Sequence, residues 1–183
     1  MVIDIREVDA FLLGIKPAVY YCVEDPQFQH SRDQLMTYPF VNKNINLYDG
    51  TDFFLFFQNE DLKQKFLGQS KGVKVRSNKF HRILGETLGY PPKAVDFYVR
   101  CLDKKELEQL KVGMHYMGIH CSGSVVDLVE NALWLWDTYS RSDVHSLLEV
   151  RIDSSFYSVN CKDIERLKEL QDLALSTKAV HVE

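Results

Sequence analysis

Glycine and proline are scarce in this chain, 9 and 5 of its 183 residues, which excludes a collagen-like fibre and a low-complexity tract. It holds only four cysteines, Cys22, Cys101, Cys121 and Cys161. No two stand as C-x-x-C, so a disulfide scaffold, a zinc knuckle and a thioredoxin-like redox motif are all unwritten. No apolar run approaches the ~20 residues of a membrane span; stretches such as Phe53–Phe57 are among the longest. The first residues, Met1-Val2-Ile3-Asp4-Ile5-Arg6-Glu7, show no basic region followed by an apolar one, the pattern of a secretory signal. H-E-x-x-H, G-x-x-x-x-G-K-[ST], G-x-G-x-x-G and a nucleophile elbow are missing as well. The expectation from these absences is a cytoplasmic chain with reduced thiols, no membrane segment, no cofactor and no metal.

What is present makes a core. Apolar residues are 45% of the chain, with 11 Phe, 9 Tyr and 2 Trp. At this length roughly 70% of the accessible surface can be buried without staples. The net charge is −4, and its distribution is uneven. Residues 1–70 hold 6 basic and 10 acidic side chains, residues 71–112 hold 10 and 5, and residues 113–183 hold 6 and 11. A basic middle between acidic flanks fits either pairing among the segments or an anionic partner.

Helices and strands interleave. Asp4 with Glu7 reads as a cap before Val8, Phe11 and Leu12, and Gly14 closes that helix. Ala18–Val23 reads as a strand and Ser31–Met36 as a short helix. Phe53–Phe57 needs cover on both faces and belongs centrally in a sheet. Asn59 caps a helix to Leu67, Val73–Arg76 suggests a short strand, and Ser77 caps a helix that Gly89 ends. Pro92 opens the next, and Asp103 to Leu110 is a short helical piece. Met114–Cys121 reads as one strand, followed by an apolar helix from Ser124 to Tyr139. Leu147–Ile152 and Phe156–Val159 suggest a hairpin, and Cys161–Leu175 a final amphipathic helix. The fold class is therefore α+β: one compact domain, with Phe53–Phe57 and Met114–Cys121 in a central mixed sheet under helices.

Leu84-Gly85-Glu86-Thr87-Leu88-Gly89-Tyr90-Pro91-Pro92-Lys93-Ala94-Val95 is the most specific local pattern. Gly85, Gly89 and Val95 meet the spacing of a helix-turn-helix. Lys93 and Arg100 would then meet phosphates, although Asp96 and Phe97 in the same helix argue against a base-reading face. A packed helical corner satisfies the same residues. This segment resembles the LGYPP-centred region of an uncharacterised family of small proteins in Gram-positive, mostly clostridial, bacteria. Phe11-Leu12-Leu13-Gly14-Ile15-Lys16-Pro17, Asp49-Gly50 before Phe53–Phe57, and Phe80-His81 are similar to further segments of that family, so the likeness covers roughly residues 8–100. It implies a shared bacterial fold and, with no established activity in the family, transfers no catalytic residue.

Met114-His115-Tyr116-Met117-Gly118-Ile119-His120-Cys121-Ser122-Gly123-Ser124 is the best candidate for chemistry. Read as one strand, it puts His115 and Cys121 on one face and His120 on the other. Cys121 just ahead of a helix at Ser124 is the setting of an activated thiolate with His115 as base. Ser122, Gly123 and Ser124 would leave amides for an oxyanion or phosphate. A buried structural thiol explains the same residues. Zinc would need Cys101 or His81 beside His115 or His120, which the spacing does not indicate. Phe53, Phe54, Phe56, Phe57, Phe97, Tyr98, Trp134, Trp136 and Tyr139 together exceed what one obvious face can hide, which fits either core packing or a surface for a protein partner or self-association at Phe97, Trp134 and Trp136. The leading expectation is a non-enzymatic binding or regulatory module acting through protein contacts. A small cysteine-dependent enzyme or anion-binding protein at Cys121 and His115 is the alternative, and a nucleic-acid binder at segment 80–102 the third.

Overall fold

The computed structural model describes residues 5–141 and 146–179. They fall into two compact units, Ile5–Tyr90 and the residues from Pro91 onward. The class is α+β, but the single mixed sheet expected from the sequence is corrected to two separate sheets, each antiparallel. Phe53–Phe57 stands in one and Met114–Cys121 contributes to the other. The Asp4 cap lies outside the described residues.

The first unit runs α1 (Glu7–Leu12), β1 (Ala18–Cys22), α2 (Pro26–Leu35), β2 (Phe40–Val41), β3 (Phe53–Phe57), α3 (Glu60–Ser70) and α4 (Asn78–Thr87). β3 is the middle strand of the order β1-β3-β2, as five consecutive large apolar residues require. Phe53, Leu55 and Phe57 pack with Phe66 of α3 and Phe80, Ile83 and Leu84 of α4. Phe56, with half-buried Phe54, packs with Val8 and Phe11 of α1 and Phe28 and Leu35 of α2. Phe28, Phe54 and Phe56 stack at centroid separations of 5.4–6.0 Å, so ring-on-ring contact adds to burial.

The helix ends follow the sequence signals closely. Gly14, at φ 70°, donates to the Phe11 carbonyl while Ile15 donates to that of Ala10. Gly89, at φ 78°, donates to Glu86 while Tyr90 donates to Gly85. Both are paired C-terminal bonds that only a left-handed residue permits without strain. Asn59 and Ser77 accept from Leu62 and Phe80. α2 starts earlier than expected because Asp25 caps Gln27 and Phe28 with Pro26 in the first turn, a signal present in Asp25-Pro26 itself. Val73–Arg76 is loop, not strand; Arg76 sits at φ 68° and its guanidinium clasps Asp49.

One buried charge ties this unit together. Lys16 is fully buried and ion-pairs with Glu7, whose side chain is 24% exposed. Its Nζ lies 5.0 Å from the centroid of the Tyr90 ring, and its backbone oxygen accepts from Gln58 Nε2 at 3.0 Å. Glu7 and the ring thus replace the water an ammonium loses on burial.

The second unit runs α5 (Pro92–Asp103), a 3-10 turn (Lys105–Leu110), β4 (Lys111–Tyr116), β5 (Ile119–Ser124), a 3-10 turn (Val125–Asp127), α6 (Leu128–Tyr139), β6 (Leu148–Ile152), β7 (Ser155–Val159) and α7 (Ile164–Ala179). Its sheet has the order β5-β4-β6-β7. α6 packs on β4 and β5, α7 on α6, and α5 beside β5. Val112, Met114, Tyr116, Ile119, Leu148, Val150 and Ile152 form the buried face.

Removing the carboxylate from the Lys16 pair should destabilise the chain more than removing the pair whole. Glu7→Ala is expected to cost about 3 kcal/mol, the scale of an uncompensated buried charge, as a drop in the urea midpoint at unchanged slope. Glu7→Ala with Lys16→Met should recover most of that loss. Equal midpoints for the two variants would show that the pair carries no such role.

Candidate functional site

The segment read as one strand is a hairpin. Met117 and Gly118 form its two-residue turn, with φ of 52° and 77°, the pair of positive values that a type I′ turn requires. Alternation restarts across such a turn. His115 pairs with His120, Met114 with Cys121 and Gly113 with Ser122. Residues opposite one another in an antiparallel pair share a face, so His115 and His120 lie together and Cys121 lies on the other side. The expected Cys121–His115 pair is therefore overturned by a turn that Tyr116-Met117-Gly118-Ile119 conceals, since Met rarely occupies a left-handed position.

The pairing also explains the contact between the two histidines. In a two-residue hairpin the residues flanking the loop exchange hydrogen bonds, so 116 with 119 and 114 with 121 are bonded pairs and 115 with 120 is not. Side chains at a non-bonded pair stand closest. The imidazoles of His115 and His120 stack at 3.6 Å with 15° between their planes.

Cys121 is half-buried on the α6 side. Burial pushes the pKa of the Tyr139 hydroxyl up, and the nearby Cys121 adds to the rise, which keeps that phenol protonated and unfit as a base. Gly123 is pressed against α6: a Cβ there would stand 2.6 Å from Asn131 Nδ2. Ser122, Gly123 and Ser124 lie in β5 opposite Gly113, Val112 and Lys111, where alternation turns the N–H of Gly123 toward β4 and those of Ser122 and Ser124 away from it, so the three amides do not converge as the expected cradle requires. Ser124 is buried and its Oγ accepts from the Val126 amide at 3.2 Å. It caps the 3-10 turn before α6.

The expected nucleic-acid and interface residues are also redistributed. Lys93 ion-pairs with Glu130 at 3.7 Å. Arg100 is exposed on α5, in a helical row that also carries Asp96 and Asp103, a mixed charge pattern unsuited to phosphates. α4 and α5 fall in different compact units, which divide at Tyr90 and Pro91. Phe97 and Trp136 are 3% and 1% exposed and belong to the core, because both fall on the inward stripes of α5 and α6. Trp134 is half-buried, its ring set edge-on to Tyr139 at 5.7 Å.

Among the described residues, no three His, Cys, Asp or Glu side chains converge to hold a metal ion, and no helix is long and apolar enough to cross a membrane. His81 is half-buried in α4, and that burial lowers its pKa.

No protein-family model, curated protein or solved structure matches the chain. The candidate site is accordingly defined by its own geometry, the open face and outer edge of the second sheet. Pairing sets His120, His115, Glu149 and Ser158 in one row across that face, and Ser122, Gly113, Arg151 and Phe156 in the next. Arg151 lies across Gly113, its Nε 3.5 Å from where a Cβ would stand. Phe156 is 61% exposed. Sequence reading places the β6–β7 hairpin but misses Phe156, whose exposure follows from alternation once Ile152 and Val150 are assigned to the core.

The four thiols should separate by accessibility. Iodoacetamide is expected to modify exposed Cys161 first and Cys101 last, since Cys101 is buried and burial raises its pKa, with Cys121 no faster than an ordinary thiol. Peptide mapping by mass spectrometry reads the order. Fastest labelling at Cys121 would restore the thiolate reading.

Proposed function

We propose that this chain is a non-enzymatic binding module that works through protein contacts made by β7 and the open face beside it. The observation that carries the reading is the character of β7. It is a terminal strand of its sheet, its sequence Ser-Phe-Tyr-Ser-Val has no charge and no proline, and Phe156 projects from it largely into solvent. Natural sheets usually guard such an edge with Lys, Pro or a bulge, because its free N–H and C=O groups recruit another strand. An unguarded edge with an aromatic anchor suits strand addition, in which backbone bonds give affinity and a few side chains give specificity. Other exposed aromatics such as Tyr48, whose ring lies 6.1 Å from that of Phe53, and Tyr98 are not on a sheet edge and ask for no such explanation.

Two further readings belong to this proposal. The four free cysteines support a reducing compartment, the cytoplasm. The LGYPP-centred likeness is read as marking a shared bacterial fold, in which Lys16 and Tyr90, from two of its segments, stand in contact.

Affinity capture with the full chain, followed by purification and titration of the retained protein, tests the function. Phe156→Lys is expected to weaken its Kd at least tenfold, about 1.4 kcal/mol, while Tyr98→Lys leaves it unchanged. Equal loss from both variants, or none from Phe156→Lys, would contradict the reading.

A further inference from the structure

The partner that β7 itself specifies is another β7. We infer that two copies of this chain associate by antiparallel pairing of β7 with β7 about Tyr157, an inference that rests on the binding reading and names its partner.

The backbone geometry limits the choices. β6 and β7 are joined by the two-residue turn Asp153-Ser154, with Asp153 at φ 52°. Ile152 and Ser155 flank it and exchange hydrogen bonds, so alternation aims the N–H and C=O groups of Ser155, Tyr157 and Val159 at β6. Those of Phe156 and Ser158 face away from the sheet. A two-fold antiparallel pair must place some residue opposite itself. Tyr157 opposite Tyr157 sets Phe156 against Ser158 of the second copy, and the reverse. Both are bonded pairs, so every outward-facing backbone group of Phe156 and Ser158 is used, in four hydrogen bonds. Centring on Phe156 instead sets Ser158 against Ser154, a turn residue, and loses part of the ladder.

Charge agrees with the same register. β7 has no ionised side chain to meet its like across the axis. Its neighbour β6 puts Arg151 opposite Phe156 and Glu149 opposite Ser158. Each row reading Arg151–Phe156 in one copy therefore continues as Ser158–Glu149 in the other, so the cation row of each copy meets the anion row of its mate. On the other face the two Tyr157 side chains form a cross-strand aromatic pair. A five-residue strand pair falls short of the ~1,000 Å² typical of a stable interface, so the association is weak and concentration-dependent.

Sedimentation velocity of the full chain over a wide concentration range reads the association, and cysteine cross-linking reads its register. Wild type is expected to pass from monomer to dimer as concentration rises. Ser158→Pro should remove the dimer while circular dichroism and the urea midpoint report a folded monomer, because the Ser158 N–H makes no bond to β6. In a Cys161→Ser background, Tyr157→Cys should give a disulfide-linked dimer under mild oxidation. Phe156→Cys should give little, since its two copies stand diagonally, beyond the ~7 Å limit of Cα separation. A monomer at every concentration with no cross-link would overturn the inference. So would a dimer indifferent to Ser158→Pro, which would use another surface. If the wild type stays monomeric yet Phe156→Lys still weakens an identified protein partner, the binding function stands and only self-pairing falls.

Discussion

Two-residue turns decide what the second sheet can do. Met117-Gly118 and Asp153-Ser154 close their hairpins so tightly that the hydrogen-bonding parity of every strand is set from the loops outward. Parity determines which side chains share a face, bringing His115 onto His120 and separating both from Cys121. It also determines which backbone groups of β7 point away from the sheet. No local propensity in these strands is as consequential as those two turns.

The same constraint keeps the expected parts of a thiol site apart. A thiolate needs a base and amide donors about one reacting atom. Here the thiol of Cys121 faces α6, the imidazoles face the other side, and the amides of Ser122 and Gly123 point to opposite edges of β5. Across the imidazole-bearing face His120, His115, Glu149 and Ser158 lie in one paired row. In the proposed binding role, such rows, ending in an uncharged edge with Phe156 exposed, supply the contact area for an extended partner.

Much of the first unit was legible from local chemistry. The caps at Asn59 and Ser77, the stops at Gly14 and Gly89, and the central place of Phe53–Phe57 all follow from residue type and spacing. Two features were not. Lys16 is an ordinary surface residue in sequence, and its burial depends on Glu7 and Tyr90, which lie 9 and 74 positions away. The Met117-Gly118 turn lacks the Asn-Gly or Asp-Gly signature, so a hairpin passes for a single strand and the faces of its side chains are misassigned. The sequence also offers no cue that the two strands expected in one sheet belong to different ones, because sheet partnership is a long-range choice. For Phe97 and Trp136 the number of aromatics leaves core packing and an interface both open, and their burial decides for the core, because the helices supply several inward faces.

The central claim is that the free edge of β7 presents the backbone of Phe156 and Ser158 while Ser155, Tyr157 and Val159 bond inward. Residue-resolved amide hydrogen exchange on dilute protein reads this directly. The account predicts slow exchange at Tyr157 and Val159 alternating with fast exchange at Phe156 and Ser158. Slow exchange at Phe156 and Ser158 with fast exchange at Tyr157, or uniform protection along the strand, would contradict it.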